Sequence, residues 1–180
     1  MSILLETERL LLRHPRAADI SAFVPLIGDS DVSKYLSRVP YPYTEDDGCA
    51  FITKIGPAIE AGTDYAFAVI LKPDIYIGTC GVHPERDWEF GYWIGKPYWG
   101  KGYATEASKR VVQFAFEDLK AERLQASWFH DNPRSGRVLA KLGFLPVGEG
   151  EIACLSRGVT VNCHVVALDR ATYVTRNMVS

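Results

Sequence analysis

The clearest change in the hydrophobic pattern lies between residues 88 and 119, where a two-residue period gives way to a helical one. Residues 88–93, WEFGYW, alternate in the way that is typical of a strand. Farther along, apolar residues recur at the three-and-four spacing of an amphipathic helix, at Ala104, Ala107, Val111, Phe114, Ala115 and Leu119. The sequence therefore predicts a strand, a loop and a helix in this order, with Gly100-Lys101-Gly102 in the loop.

The remaining pattern predicts strands and helices on both sides of this segment. Strand-like runs cover 3–13, 65–71, 75–82 and 124–129, two strands flank 156–158, and helical periods cover 19–27, 31–36, 44–61 and 133–142. Thr44 opens its helix with a capping box, and Asn132, Pro133 and Gly143 are typical of the N-cap, first position and stop of a helix. We expect a turn at 83–87, and the tail after Asp169 is undecided.

Length and composition describe a folded protein without a strong charge. At 180 residues, with 47% hydrophobic and 23% charged residues, the chain has the length of one domain, which we expect to span 1–180. The formal net charge of −2 argues against nucleic acid as a partner, and no apolar run reaches the ~18–20 residues of a membrane-spanning helix. The N-terminus lacks the basic region of a signal peptide, and the four cysteines lack metal-ligand spacing. These features predict a cytoplasmic protein with reduced thiols.

The predicted loop and helix start favour an anion site. Glycines permit positive φ angles and let a ligand approach the backbone, while the first amides of a helix have no intrahelical acceptor and carry the positive end of the dipole. Such helix starts commonly bind phosphate. A P-loop is one alternative, since Gly95, Gly100 and Lys101 are in register, but Gly102 stands where the Mg²⁺-binding hydroxyl is required. A dinucleotide fingerprint is another, but Thr105 replaces its third glycine.

Residues 88–107 resemble motif A of the GNAT acetyltransferases, whose pattern [RQ]-x-x-G-x-[GA] falls on Trp99, Gly102 and Ala104. The longer run G-Y-W-I…W-G-K-G-Y-A-T-E-A is similar to the Rim-type subgroup, which acetylates the N-termini of ribosomal proteins. Trp99 departs from the family because it occupies the Arg/Gln position. The resemblance implies an α/β (α+β) GNAT fold, with a mixed central sheet of about seven strands, about four flanking helices and a splayed central strand that binds the coenzyme.

The same resemblance implies which residues would bind acetyl-CoA. In GNAT proteins the loop amides bind the coenzyme pyrophosphate, and the corresponding backbone here is that of Gly100, Lys101, Gly102, Tyr103, Ala104 and Thr105. A backbone amide near the end of the central strand stabilises the oxyanion, which corresponds to Trp93 or Ile94. Asn132 and Ser135, at the start of the later helix, match the positions of further coenzyme contacts.

Glu89 is the first candidate for the general base. A strand carboxylate that faces a cleft can relay a proton through water, and partial burial would raise its pKa. A solvated or salt-bridged Glu89 is the alternative, since a bulge at Gly91 would change the face to which it points. His83 is a second candidate because imidazole titrates near neutrality, and Asp87 is a third.

Ser135 is the candidate for the general acid. Many GNAT enzymes use a tyrosine seven residues after the coenzyme-binding asparagine, but Leu139 occupies that position here. The Rim-type subgroup instead resembles N-x-x-S, which Asn132 and Ser135 match. Ser135 would lie in the first helical turn, where the positive end of the dipole lowers the cost of a developing thiolate. The resemblance also places Tyr41 and Tyr43 in the region of the acceptor pocket.

The leading hypothesis is an N-acetyltransferase that moves the acetyl group of acetyl-CoA directly to an amine in a ternary complex. Neither motif contains a cysteine, so an acyl-enzyme is not expected. The acceptor would be a protein N-terminus or a small amine, and the protein a monomer or a homodimer. A non-catalytic acyl-CoA-binding module is the alternative, favoured by the missing tyrosine and by Trp99.

Overall fold

Eight strands form one mixed sheet in the computed structural model, which describes residues 3–84 and 88–178. The strands are β1 Leu4–Glu6, β2 Leu10–Arg13, β3 Tyr65–Leu71, β4 Ile75–Pro84, β5 Trp88–Ile94, β6 Arg123–Phe129, β7 Leu145–Cys154 and β8 Val159–Asp169. The α-helices are α1 Ile20–Ile27, α2 Ser30–Ser33, α3 Glu45–Glu60, α4 Tyr103–Glu117, α5 Pro133–Leu142 and α6 Arg170–Met178. The order across the sheet is β1-β2-β3-β4-β5-β6-β8-β7, with β5 and β6 parallel and the other neighbours antiparallel.

The predicted α/β class with a mixed sheet is confirmed. Two segments, at the start and the end of the chain, fold into a strand and a helix that the sequence analysis did not predict separately. The run predicted as one strand over 3–13 folds as the antiparallel hairpin of β1 and β2. Thr7 holds its turn, because its amide donates to the Leu10 carbonyl at 3.0 Å and its hydroxyl accepts the Leu10 amide at 2.9 Å. The undecided tail forms α6, where Tyr173 stacks on Phe116 with ring centroids 4.6 Å apart.

The predicted turn at 83–87 is wrong for its first two residues, because β4 continues through Pro84. His83 therefore lies in a strand, directly opposite Glu89 of β5. Strand pairing holds the His83 backbone more firmly than a surface turn would. Residues 85–87, with the base candidate Asp87, lie outside the described residues.

The central strand β5 separates from its parallel neighbour, as predicted. Within the described residues, β5 and β6 are paired only at Trp88–Leu124 and Glu89–Gln125, and beyond these positions the strands diverge. On its other side, β5 is paired in regular register with β4 along its whole length, so Gly91, the candidate position for a bulge, carries none in this ladder. A bulge would disrupt the ladder to β4, whereas the divergence opens the sheet and leaves that ladder intact.

Helices cover both faces of the sheet and leave the divergence of β5 and β6 open. On one face, α4 packs through its predicted apolar positions, among which Ala107, Val111, Phe114 and Ala115 are buried. On the other face, a second cluster around the buried Phe23 joins α1 and α3 to the sheet. In the part of the chain that the structure describes, no helix is both long enough and apolar enough to cross a membrane.

Helix ends follow the predicted signals. At the start of α3, the amide of Thr44 donates to the Asp47 carboxylate at 2.8 Å, and the amide of Asp47 donates to the Thr44 hydroxyl at 3.3 Å. At the start of α5, the side-chain oxygen of Asn132 accepts the Ser135 amide at 3.4 Å. Gly143 ends α5 with a φ of 97°, a conformation that suits glycine. The capping box, the N-cap and the glycine stop are therefore confirmed.

Candidate active site

A cleft of about 1410 Å³ opens where β5 and β6 diverge. Its walls are β5, the loop before α4, the first turns of α4 and α5, and residues from 31–43 together with the exposed side of α3. The divergence leaves backbone groups of β5 without a strand partner on that side, so polar groups of the main chain face the cleft.

The start of α4 is an uncapped helix terminus at the cleft wall. Gly100 and Gly102 adopt positive φ angles of 75° and 83°, and Gly102 is the N-cap of α4. Glycine has no side chain that could accept the first helical amides, and no side-chain cap is present there. Tyr103, Ala104 and Thr105, whose amides begin the helix, all line the cleft. Free helix-start amides and the positive end of a helix dipole favour an anion, so this is where the predicted anion site would lie.

Glu106 lies in the first turn of α4 but is engaged away from this terminus. Its carboxylate accepts the Thr7 hydroxyl at 2.6 Å, the Arg9 amide at 3.0 Å and the Arg9 Nε at 2.7 Å. Burial acts to raise its pKa, but these hydrogen bonds and the guanidinium charge dominate and lower it. Arg9 also donates to the Lys101 carbonyl at 3.0 Å. The first hairpin of the chain therefore fixes the loop and neutralises the acidic residue in the first turn of α4.

Trp99, which replaces the Arg or Gln of the family pattern, ties the loop to the central strand. Its indole Nε1 donates to the Ile94 carbonyl at 2.6 Å. The Arg134 guanidinium lies 5.6 Å from the centroid of a Trp99 ring, within the range of a cation–π contact. Trp99 therefore contributes a rigid connection and a surface for Arg134, and both residues line the cleft.

Of the two backbone amides expected to stabilise an oxyanion, that of Ile94 faces the opening. The amide of Gly95 donates to the Ile77 carbonyl of β4 at 2.8 Å. Because backbone polar groups alternate in direction along a strand, those of Trp93 also point toward β4 and those of Ile94 point away from it. The hydrogen bond from Trp99 to the Ile94 carbonyl agrees with this direction.

A hydrogen bond joins β5 to the first turn of α5 across the cleft. The phenol of Tyr92 donates to the Ser135 hydroxyl at 3.1 Å. Burial raises the pKa of Tyr92 to about 12, and the hydrogen bond with Ser135 opposes this shift only in part. The phenol therefore stays protonated at physiological pH. Ser135, in turn, lies in the turn that Asn132 caps, so its position is fixed from two directions.

The opposite face of β5 carries the basic and acidic groups. Because side chains alternate along a strand, Glu89 and Trp93 lie on the face covered by α1 and α3, whereas Tyr92 lies on the face of α4 and α5. The Glu89 carboxylate is 3.0 Å from Nη2 of Arg38. Glu89 thus forms a salt bridge at the cleft wall, and its side chain remains 37% exposed.

His83, directly opposite Glu89 in β4, forms a pair with Asp64. Its Nδ1 lies 2.9 Å from a carboxylate oxygen of Asp64, and both side chains are partly buried and line the cleft. In a neutral imidazole this pairing makes Nδ1 the donor, because a carboxylate only accepts, and leaves the lone pair on Nε2. Two proton-accepting groups, Glu89 and His83, therefore lie side by side on one face.

Other predicted residues fall in different places. Lys101 lies outside the cleft lining, with its ammonium 5.7 Å from the Tyr98 ring centroid. Tyr43 lines the cleft, whereas Tyr41 is 55% exposed. Leu139 lines the cleft as a largely buried side chain, with 2% of its surface exposed, so it supplies packing at this position.

The sequence did not single out Tyr92, Asp64 or Arg38 for a role in chemistry. Strand alternation places Tyr92 on the face opposite Glu89, but an aromatic residue in a strand is ordinarily a packing residue. Asp64 lies just before β3, and its relation to His83 depends on the pairing of β3 with β4. Arg38 reaches Glu89 across 51 positions of the chain. Only the folded arrangement reveals these pairs.

The sequence matches the family described as "Acetyltransferase (GNAT) domain" over residues 9–145. The chain belongs to the GNAT acetyltransferase family. A Bacillus licheniformis protein named "Uncharacterized N-acetyltransferase p20" is 31% identical to it over 149 residues, which cover 80% of this chain and 83% of that protein. This GNAT chain is therefore an acetyltransferase, and the alternative of a non-catalytic module is set aside.

Two solved structures share the GNAT fold of this chain. The ribosomal-protein-S5-alanine acetyltransferase from Vibrio fischeri has 18% identity and a TM-score of 0.82, and the match covers 95% of this chain and 98% of that one. The spermidine N-acetyltransferase from Vibrio cholerae, in complex with CoA and spermine, has 19% identity and a TM-score of 0.78, with coverages of 93% and 99%. The predicted resemblance to the GNAT family is confirmed, and the structural neighbours include a ribosomal-protein acetyltransferase.

Proposed function

We propose that this GNAT enzyme transfers the acetyl group of acetyl-CoA directly to the primary amine of a protein N-terminus or of a small molecule. One observation carries the proposal. The uncapped start of α4 faces the cleft at the place where β5 and β6 diverge. A pyrophosphate group requires donors of this kind, and one solved neighbour is a complex with CoA.

The residues around the cleft fit the coenzyme. The amides of residues 102–105 would bind the pyrophosphate, and a side chain at Gly100 would meet no atom within 4 Å, so the loop leaves room for a ligand. Asn132 and Ser135 line the same cleft and would contact the coenzyme from α5. The Ile94 amide would stabilise the oxyanion. When bound, acetyl-CoA supplies an activated acetyl thioester, and every other contribution comes from this chain.

The cysteines support direct transfer. Cys80, Cys154 and Cys163 are buried, and burial raises the pKa of Cys80 to about 12, which makes its thiolate inaccessible at neutral pH. Cys49 is exposed on α3 but lies outside the cleft lining. Among the residues that the structure describes, no thiol is therefore placed to accept the acetyl group, and the amine would react in a ternary complex.

We assign proton acceptance to Glu89, with His83 as the neighbouring alternative. Arg38 keeps the Glu89 carboxylate oriented, and at this exposure the ion pair is weak enough to release it. An amine that enters from the face of α1 and α3 would pass Glu89 before it reaches the opening beside Ile94. His83, oriented by Asp64, is one strand away and could relay a proton through water.

We assign proton donation to Ser135, supported by Tyr92. The departing thiolate would take the Ser135 hydroxyl proton, and the Tyr92 phenol would pass its own proton to Ser135 along the existing hydrogen bond. Solvent water that enters the cleft as the products leave would then return a proton to Tyr92. The start of α5 stabilises negative charge at this position. The phenol absent at Leu139 is thus supplied from β5 instead of from α5.

The acceptor side of the cleft offers carboxylates to an amine. Asp64 and Glu89 lie on that face, where an ammonium group would compete for them with His83 and Arg38. The solved neighbours named for a ribosomal-protein alanine and for spermidine both act on amines. We propose the same reactive group for this chain, with protein N-termini and polyamines as the first acceptors to examine.

The test is calorimetric titration of the purified protein with acetyl-CoA, with ATP and Mg²⁺ as the control ligand. We expect acetyl-CoA to bind and ATP with Mg²⁺ not to bind. Release of free thiol is then followed with N-terminal peptides and with spermidine as acceptors. A folded protein that does not bind acetyl-CoA would contradict the proposed cofactor, and binding without turnover on either acceptor type would contradict the proposed acceptors.

A further inference from the structure

Three metal-ligating side chains converge on the part of the sheet formed by β6, β7 and β8. His130 follows β6 directly, Glu149 lies in β7 and His164 lies in β8. The Nε2 of His130 is 2.6 Å from one carboxylate oxygen of Glu149, and the Nδ1 of His164 is 2.7 Å from the other. One ligand atom from each side chain lies within 4.8 Å of the other two.

We propose that His130, Glu149 and His164 form a binding site for a divalent transition-metal ion of the Zn²⁺ class. Two imidazole nitrogens and one carboxylate oxygen are the ligands of many open zinc sites, in which water completes a tetrahedron. Ca²⁺ and Mg²⁺ require more oxygen ligands than this cluster offers. The proposed site is independent of the proposed acetyl transfer.

The sheet fixes the positions of these side chains. Trp128 is the register partner of His164, and His164 is in turn the partner of Glu149, so the three residues form a row across neighbouring strands. His130 is two residues beyond Trp128 and its ring stacks on that of His164, with centroids 4.2 Å apart and an interplanar angle of 26°. Three adjacent backbone segments thus hold the ligands, and little ordering remains to be done when an ion binds.

The present spacing is close to that of a metal site. Ligand bonds of ~2.1 Å in a tetrahedron separate the ligand atoms by about 3.4 Å, whereas the nitrogens of His130 and His164 lie 2.6 Å and 2.7 Å from the two carboxylate oxygens. The nitrogens must therefore move about 0.7–0.8 Å away from the carboxylate. The three side chains are partly exposed and can make this adjustment by small rotations.

The cluster also contacts the element that carries Ser135. The Trp128 ring lies 4.2 Å from the His164 ring, centroid to centroid, and a side-chain carbon at Gly136 of α5 would come within 2.7 Å of the same indole. An ion at the cluster would therefore sit next to the aromatic support of α5. This proximity gives a fluorescence signal from Trp128 as a second readout of binding.

The experiment is calorimetric titration of ZnCl₂ into the full chain without an affinity tag. A Cys49→Ser background removes the exposed thiol, which could bind zinc by itself. We expect one ion per chain. His130→Gln, His164→Gln and Glu149→Gln should each weaken binding by more than about tenfold, since even loss of an outer-shell partner costs that much. Glu151→Gln, an exposed carboxylate on the same strand, is the matched control and should bind like the parent.

Two results would overturn the proposal. One is a parent protein that binds no zinc, and the other is a set of three ligand variants that bind it as tightly as Glu151→Gln. Anomalous scattering at the zinc edge from crystals soaked in ZnCl₂ adds a measurement that needs no variant. We expect a peak between the side chains of His130, Glu149 and His164. Zinc peaks found only at other positions would also overturn the proposed site.

Discussion

The phenol of Tyr92 donates a 3.1 Å hydrogen bond to the hydroxyl of Ser135. This contact spans the opening of the sheet, because Tyr92 belongs to β5 and Ser135 to the first turn of α5. The two residues thus connect the central strand with the helix start that would stabilise a leaving thiolate. A hydroxyl that accepts from a phenol donates its own proton more readily, since hydrogen bonds in a chain polarise one another.

Removal of either hydroxyl should slow turnover far more than it weakens coenzyme affinity. We expect Ser135→Ala to lower kcat by about 10²-fold, because a positioned general acid contributes at least that much, and Tyr92→Phe to lower it by about tenfold. The measurements are steady-state kinetics and calorimetric titration with acetyl-CoA. Tyr173→Phe, whose hydroxyl bonds Glu117 on α4, is the control for loss of a phenol. Unchanged kcat in both cleft variants would remove the pair from the mechanism.

The raised pKa of Tyr92 predicts a loss of stability at alkaline pH. A free phenol ionises near pH 10, whereas burial raises the pKa of Tyr92 in the folded protein to about 12. Between these values the unfolded state releases a proton that the folded state retains, so stability falls as pH rises. The contribution of Tyr92 is at most ~1.4 kcal/mol per pH unit.

Urea unfolding at pH 9 and at pH 11 checks this dependence. The decline between the two pH values should be shallower in Tyr92→Phe than in the parent, because the variant has no phenol to ionise at this position. Tyr41→Phe, which removes an exposed phenol, should decline like the parent. A Tyr92→Phe variant with the full decline would show that the buried phenol does not titrate in this range.

Gly102 is predicted to be the most sensitive glycine of the loop. Its φ of 83° would cost an alanine ~1–2 kcal/mol, and a side-chain carbon there would approach Arg9 at 3.4 Å. We expect Gly102→Ala to weaken acetyl-CoA binding by about tenfold, which corresponds to ~1.4 kcal/mol. Gly148→Ala is the control, since its added carbon would meet no atom within 4 Å and no positive φ is involved. Equal affinity in both variants would contradict the role of the loop.

The sequence predicted the local features of the site better than its long-range pairs. Asn132 and Gly143 act through their own backbone neighbourhoods, so the ends of α5 could be read from residue type alone. The divergence of β5 from β6 also agrees with the splayed central strand that the resemblance to GNAT motif A implies. By contrast, the pair of His83 and Asp64 depends on how far β4 extends, and the sequence signals for a turn at 83–87 compete there with tertiary pairing.

The sheet edges were harder still to predict. The sequence predicted one strand over 3–13 where the structure has β1 and β2, since the polar turn between them contains neither glycine nor proline. Placement of β8 between β6 and β7 brings His130 and His164 together, although 34 positions separate them and their spacing matches no metal motif. Non-local pairing of this kind leaves no periodic signal in a single sequence.

Asn132 has a capping role in the structure and a proposed coenzyme role, and substitutions can separate the two. Asn132→Ala should lower stability by ~1 kcal/mol because the Ser135 amide loses its acceptor. Asn132→Ser keeps a capping oxygen and should retain most of the stability. Both should weaken acetyl-CoA binding if the amide group contacts the coenzyme. Thermal unfolding measures the effect on stability, and titration measures the effect on acetyl-CoA affinity. An Asn132→Ser variant that binds acetyl-CoA as tightly as the parent would show that Asn132 caps α5 and does not bind the coenzyme.

The assignment of the base to Glu89 can be tested against His83, its neighbour across β4 and β5. We expect Glu89→Gln to lower kcat by about 10²-fold or more and His83→Gln to have a smaller effect, because Glu89 lies on the diverging strand itself. The deficit of Glu89→Gln should shrink with acceptor amines of low pKa, since these are already neutral and need no base. Glu151→Gln on β7 is the control for a Glu-to-Gln change. The opposite result would be a mild defect in Glu89→Gln together with a severe defect in His83→Gln that varies with the pKa of the acceptor amine. It would assign the role of the base to His83 and its partner Asp64.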